Sequence, residues 1–208
     1  MCVATAIAGC ASAAPQVLHA PAATYLLGVD QLVSPDFSVD TPPHSLTVSD
    51  IAGSDSAAAQ QLKAGGFTSA AGEEFFRTGG NLALTNGPLQ IRNTVAEFAS
   101  AAGAATVYRS DISRLDAAVG AVAVSTGSLG DAAHCTTRTA TSSTGGLAVE
   151  ITVEWRVGNL LDVLVVRGRS GATRPDDALL LAHRQTVIEL GLATPASGKT
   201  ASAVPSPS

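Results

Sequence analysis

Between residues 147 and 157 apolar and polar side chains alternate without a break. Leu147, Val149, Ile151, Val153, Trp155 and Val157 fall on one side, and Ala148, Glu150, Thr152, Glu154 and Arg156 on the other. A period of two is the signature of a strand, and strict alternation predicts one face in a core and one in water. Gly158-Asn159 reads as a turn, and Leu160–Arg167 answers as the second strand of a hairpin. Residues 163–166 are apolar on both sides, which marks a central rather than an edge strand.

Weaker alternation predicts further strands. Over Pro88–Val95, Leu89, Ile91 and Val95 oppose Gln90, Arg92 and Thr94. Ala70–Arg77 is less regular, with Glu73 and Glu74 beside Phe75 and Phe76, and the glutamates read as solvent-face charges. Gly79-Gly80-Asn81 is a turn signal, and Leu82–Thr85 is strand-like. Ala132–Thr141 predicts a strand that contains Cys135, between a turn at Ser128-Leu129-Gly130-Asp131 and a Ser/Thr-rich loop ending at Gly145-Gly146. Prolines at 35, 42 and 43 keep the segment from Tyr25 extended or turning, and His44–Ser49 fits a short strand.

The period changes elsewhere. Ser54–Ala64 fits a short helix, with Ser54 or Asp55 as cap and Gly65-Gly66 as stop. Thr94-Val95-Ala96-Glu97 fits a capping box, which starts a helix over about 95–110. Phe98, Ala101, Ala102, Ala105 and Tyr108 recur at spacings of three and four, and Gly103 marks a close approach to a sheet. Residues 111–119 admit a second helix and 120–125 a strand. Thr173, Pro175 and Asp176 predict the capped start of a helix that Gly191 ends, with Ala178, Leu180, Leu181, Ala182, Val187 and Ile188 as its buried stripe. Strands and helices in this order predict one α+β domain over 25–191, a mostly antiparallel sheet with helices packed on one side. A short signal-like segment (1–9) and an Ala/Pro/Ser-rich tether (10–24) precede it, and an Ala/Pro/Ser/Thr tail (192–208) follows.

Composition narrows the function. The chain of 208 residues carries a formal charge of −5 and no run of Lys or Arg, which argues against nucleic acid as a partner. Charged residues make up 14% and aromatics 4%, so the core must be built from Val, Leu, Ile and Ala. No apolar run after residue 23 is long enough to span a bilayer.

Ile7-Ala8-Gly9-Cys10 resembles a bacterial lipobox. That resemblance implies a lipid attached to Cys10, cleavage just before it, and a domain held at the outer face of the cell membrane. No Lys or Arg precedes Cys10, whereas a signal peptide needs a basic start. A start codon placed too far downstream would produce that gap; if Met1 is the true start, the segment is too short to work as a signal or to span a bilayer. Once Cys10 is lipidated and Cys2 removed, Cys135 is alone. It reads as a small buried hydrophobe. A nucleophile, or a bridge to Cys2 or Cys10 in an unprocessed chain, are its alternatives.

Catalytic spacing is hard to find. No Gly-x-Ser-x-Gly elbow, Cys-x-x-Cys or His-x-x-x-His occurs, and no phosphate-loop or dinucleotide pattern, so the sequence implies no metal or cofactor. His134 and Cys135 are adjacent on a strand and face opposite ways. His183 beside Arg184 reads as a solvated helix residue. Glu150 and Glu154 read as solvent-face charges, Asp176 and Asp177 as helix-start acids, and Arg167, Arg169 and Arg174 as a basic loop able to hold an anion.

Five segments carry a family resemblance: Leu62-Lys63-Ala64-Gly65-Gly66-Phe67; Val95-Ala96-Glu97-Phe98 with Ala101-Ala102-Gly103-Ala104; Gly130-Asp131; Trp155-Arg156-Val157-Gly158-Asn159-Leu160; and Ala182-His183-Arg184-Gln185. In this order they resemble secreted lipoproteins of the actinobacterial and Chloroflexota type, and more distantly the LpqN-type mycobacterial lipoproteins. The likeness covers about residues 25–191. It implies a Mog1/PsbP-like α/β/α sandwich and a role in binding at the cell envelope, and it brings no catalytic residues.

Two functions then compete. One is a non-enzymatic envelope lipoprotein that binds a small molecule, a lipid or a protein. The other is an extracytoplasmic hydrolase, or a thiol enzyme built on Cys135. An enzyme needs a base within about 3 Å of its nucleophile. A buried Cys135 and the absence of a pocket gathering polar groups favour the first.

Overall fold

The computed structural model describes residues 17–79, 87–141 and 146–191. Cys2, Cys10, Leu82–Thr85, Gly80, Asn81, residues 142–145 and the 192–208 tail lie outside them, while Thr137–Thr141, expected as the start of a loop, continue a strand. Seven strands form one sheet, β1 (Phe37–Ser45), β2 (Phe67–Arg77), β3 (Pro88–Phe98), β4 (Val122–Val124), β5 (Ala132–Thr141), β6 (Leu147–Val157) and β7 (Leu160–Arg169). Their spatial order is β1-β2-β3-β7-β6-β5-β4, and every neighbouring pair is antiparallel. β7 is the middle strand of the seven, as its two-sided apolar run predicts.

The helices are α1 (Val48–Ala52), α2 (Ser56–Ala64), α3 (Ala101–Ala117) and α4 (Pro175–Glu189). They cover both faces of the sheet, not one, and this gives three layers. On the first face α4 packs against β6 and β7, with Ile151, Val153, Trp155, Leu160 and Leu164, and the Ala22–Tyr25 turn packs against β2 and β3, with Phe75, Ile91 and Val95. On the second, α2 and α3 bury Leu62, Ala104, Val107 and Tyr108 against Ala70, Ala96, Phe98 and Leu161. The α+β class and the antiparallel sheet stand as read.

Several local readings change. Thr94–Glu97 lies inside β3, paired with β2 and β7, and not at a helix start. Helix α3 begins at Ala101, where the Ser100 hydroxyl accepts from the Gly103 amide at 3.1 Å. It runs through the whole of 111–117, and its buried stripe is Ala101, Ala104, Val107 and Tyr108. Gly103 does make a close approach, to the Gly65 carbonyl at the end of α2 and not to the sheet: a Cβ there would lie 1.9 Å from that oxygen. His44 and Ser45 end β1, and Val48 and Ser49 open α1. Arg174, not Thr173, stands at the cap of α4, while the Thr173 hydroxyl donates to the Gly87 carbonyl at 3.1 Å. The buried stripe of α4 is Ala178, Leu181, Ala182, Gln185, Thr186 and Glu189, with Leu180 and Val187 exposed.

Residues 17–24, expected as the end of a tether, pack on the sheet instead. Leu18, Ala22 and Tyr25 are buried, and two 3-10 turns at Ala22–Tyr25 and Val29–Gln31 carry the chain over the first face. Asn159 pairs both backbone polar groups of Leu18: its side-chain oxygen accepts from Leu18 N at 2.6 Å, and its amide donates to Leu18 O at 3.1 Å. Unpaired buried backbone groups are costly, so such two-sided satisfaction makes residue 18 part of the fold.

Candidate functional site

Helices α2 and α3 cover only part of the second face. Beside them a groove of about 420 Å³ stays open on the sheet. Its floor follows the strand register. One row runs Gly72, Thr94, Val163 and Glu154, and the next runs Glu74, Arg92, Val165 and Thr152.

One wall is the β1–α1 connection. The Thr47 amide donates to the Asp50 carboxylate at 2.7 Å and the Asp50 amide donates back to the Thr47 hydroxyl at 3.3 Å. This capping box starts α1 and holds Asp50 and Ile51 at the groove edge. The hydrogen bonds from Thr47 also keep the Asp50 carboxyl below its ordinary range. Leu46 lies on the sheet here because residue 72 is glycine: a Cβ at that position would come within 2.8 Å of its Cδ1.

The other wall is the second half of α3, with Asp111, Arg114 and Leu115. Arg114 bridges Asp111 on its own helix and reaches Asp55, the cap of α2, at 3.5 Å. Asp55 sits below its usual range, chiefly through the amides of Ala58 and Ala57. Burial raises Asp111 despite its pairing. Glu154 lies beneath them on β6. It is 3% exposed, and its Oε1 has no hydrogen-bond partner. Burial, then the charge of Asp111, holds its carboxyl well above the usual carboxylate range, against the pull of Arg114.

Glu154 and Glu73 are therefore not solvent-face charges. Both are buried, and burial pushes Glu73 up to about 7. Glu150 is partly buried and doubly paired, with Arg138 and Arg167 each at 2.6 Å, and these hold it below its ordinary range against the cost of burial. Arg167 is thus committed to Glu150 and does not stand as a loop cation. Glu74 meets Arg92 at 3.9 Å and accepts from the Gln90 amide at 3.2 Å.

Cys135 faces the other way. It is fully buried in the first core beneath α4, and burial pushes its thiol up to about 11. The neighbouring His134 points to the second face, where its Nε2 lies 2.8 Å from Asp116. His183 is exposed. A polar-lined groove does exist, so only the Cys135 half of the expected discriminator is met. Within the groove only Thr94 and Thr152 carry hydroxyls, and neither is hydrogen-bonded to a histidine or carboxylate. Among the described residues no group of three or more His, Cys, Asp or Glu is placed to hold a metal, and no helix is long and apolar enough to cross a membrane.

Sequence spacing pointed to none of the groove residues as a set, because they come from β1, α1, β2, β3, α3, β6 and β7. One signal was present. Val163 lies on a strand apolar on both sides, and Glu154 pairs with it. A residue in register with a two-sided central strand is covered too.

No family model matches the chain, and no curated protein matches it. Among solved structures it is similar to the extracellular domain of PknH from Mycobacterium tuberculosis. The TM-score is 0.46 at 14% identity, over 75% of this chain and 81% of that one. A likeness at that level is a distant one and carries nothing about activity.

Proposed function

We propose that this chain is a non-enzymatic binding domain of the bacterial cell envelope and that the groove over β2, β3, β7 and β6 is its ligand site. The groove carries the reading. It combines an apolar floor and edge (Val163, Val165, Leu46, Ile51, Leu115) with a few convergent charged groups, the usual make-up of a small-molecule site. A buried thiol with a raised pKa is a poor nucleophile, which weighs against the thiol-enzyme alternative.

The address rests on sequence alone. Cys10 in its Ile-Ala-Gly-Cys setting is the proposed lipid attachment point, and the LpqN-type likeness belongs to the same proposal. Replacing Cys10 with Ala in a chain expressed with its upstream DNA tests it. Membrane association should be lost, and unchanged partitioning removes the anchor.

For the site, a fragment library is screened by NMR against the wild-type domain and against Thr94→Trp, which fills the floor. Hits should shift the resonances of Val163, Val165 and Ile51 and vanish in the variant. Hits that ignore the substitution place binding elsewhere.

A further inference from the structure

The geometry points to an organic cation on an apolar body, an alkyl- or arylammonium, as the ligand of the groove, with its charged head on Glu154 and Asp111. This rests on the groove being a ligand site and names the chemistry it would select.

Three carboxylates, Asp55, Asp111 and Glu154, surround one guanidinium, that of Arg114. Arg114 bridges Asp55 and Asp111 and makes no hydrogen bond to Glu154. The cluster thus holds one cation for three acids, and Glu154, its most buried member, is the acid that the cation does not reach and that favours its proton instead. Glu154 is more than nine-tenths buried, lines the groove, and has an oxygen without a partner. Buried polar atoms in native proteins are nearly always satisfied, and an exception lining a cavity marks what the cavity lacks. The other bases near the groove are placed elsewhere. His134 is held by Asp116 at 2.8 Å, Arg92 sits toward Glu74, and His44, which also lines the groove, has its Nδ1 3.0 Å from the Pro42 carbonyl.

An ammonium entering the groove would supply donors to Glu154 and Asp111 in a partly dehydrated space, where charge-assisted hydrogen bonds are strong. Its hydrocarbon would lie along Val163 and Val165, toward Leu46 and Ile51. A carboxylate ligand would meet two acids at this end, and an alcohol would bring no charge to take the place of the proton on Glu154.

The test uses three probes of equal body and different head, n-hexylammonium, n-hexanol and n-hexanoate, titrated into the full chain and followed by NMR and calorimetry. Hexylammonium should bind at least about tenfold tighter than hexanol, with hexanoate weakest. Glu154→Gln, which keeps shape and removes charge, should bring hexylammonium to the level of hexanol. Asp111→Asn, on the rim, should do so in part, and it serves if Glu154→Gln fails to fold. Equal binding of amine and alcohol, or preference for hexanoate, overturns the cation assignment and leaves the groove as a ligand site. Binding by none of the three overturns the cation assignment too, and the groove is then judged on the fragment screen.

Discussion

The side-chain amide of Gln185 donates to Asp162 across 3.1 Å, with both residues wholly shut off from water between α4 and β7. One turn further along α4, the buried Glu189 is close enough to the same carboxyl to act on it electrostatically. Burial, then Glu189, drives Asp162 well above the carboxylate range. Burial pushes Glu189 up to about 7, against the opposing pull of the nearby Asp162, Gln185 and Trp155, and neither of its carboxylate oxygens has a hydrogen-bond partner. Gln185 joins the helix to the central strand beside two acids that prefer to keep a proton.

That preference sets a direction for stability against pH. A carboxyl raised in the folded state binds its proton more tightly folded than unfolded. For Glu189 the window lies between its ordinary 4.5 and about 7, and Glu73 occupies the same window. Stability should fall as pH rises through it, by about 1.4 kcal/mol per unit of raised pKa. Urea midpoints measured from pH 5 to 8 should decline, and Glu189→Gln should flatten the slope. A midpoint that climbs toward pH 8 contradicts the assignment.

Gly103 and the Gly65 carbonyl bring α3 and the end of α2 into backbone contact. Alanine at 103 gains about 1 kcal/mol of helix propensity. It must also push the two segments apart, and overpacking costs about 1–3 kcal/mol or more. The clash is with backbone, which cannot rotate away. Net destabilisation of about 1–2 kcal/mol is expected in denaturant unfolding, and a neutral or stabilised variant shows that the contact is looser than drawn.

The sheet was readable because each strand pattern answers to its own burial. The hairpin of β6 and β7 follows from alternation and one glycine turn, and the central place of β7 from Val163–Val166. The start of α3 was not readable from Thr94 and Glu97. Their local capping pattern lost to cross-strand pairing with β2 and β7, and Ser100, six residues on from Thr94, holds the real cap. Glu154 escaped notice for a related reason. Alternation reports which residues share a face, but not whether that face meets water, and here α3 covers it.

Cys135 tests the same distinction between exposed and covered faces. Its thiol is fully buried and raised to about 11, so labelling by a disulfide reagent must await opening of the core. Reaction should be slow in the native state and should speed up with denaturant in step with unfolding. Serine at this position puts a hydroxyl among Leu and Val and should cost about 1–3 kcal/mol. Rapid labelling of the native domain at neutral pH revives the thiol-enzyme alternative.

Asn159 holds the entering chain to the hairpin turn. Its side chain serves Leu18 twice and also donates to the Phe98 carbonyl at 3.0 Å, so alanine would orphan backbone groups of two segments. Each buried group left unpaired costs about 1–3 kcal/mol, though water entering the gap recovers part of it. Leu18, Ala22, Tyr25 and Leu27 would lose their clamp but keep their apolar contacts. Asn159→Ala should therefore lower stability by about 2–3 kcal/mol, and limited proteolysis should cut within residues 17–25 before it cuts the sheet. If cleavage there is no faster than in the wild type, apolar burial alone secures the segment and the asparagine serves only its own turn.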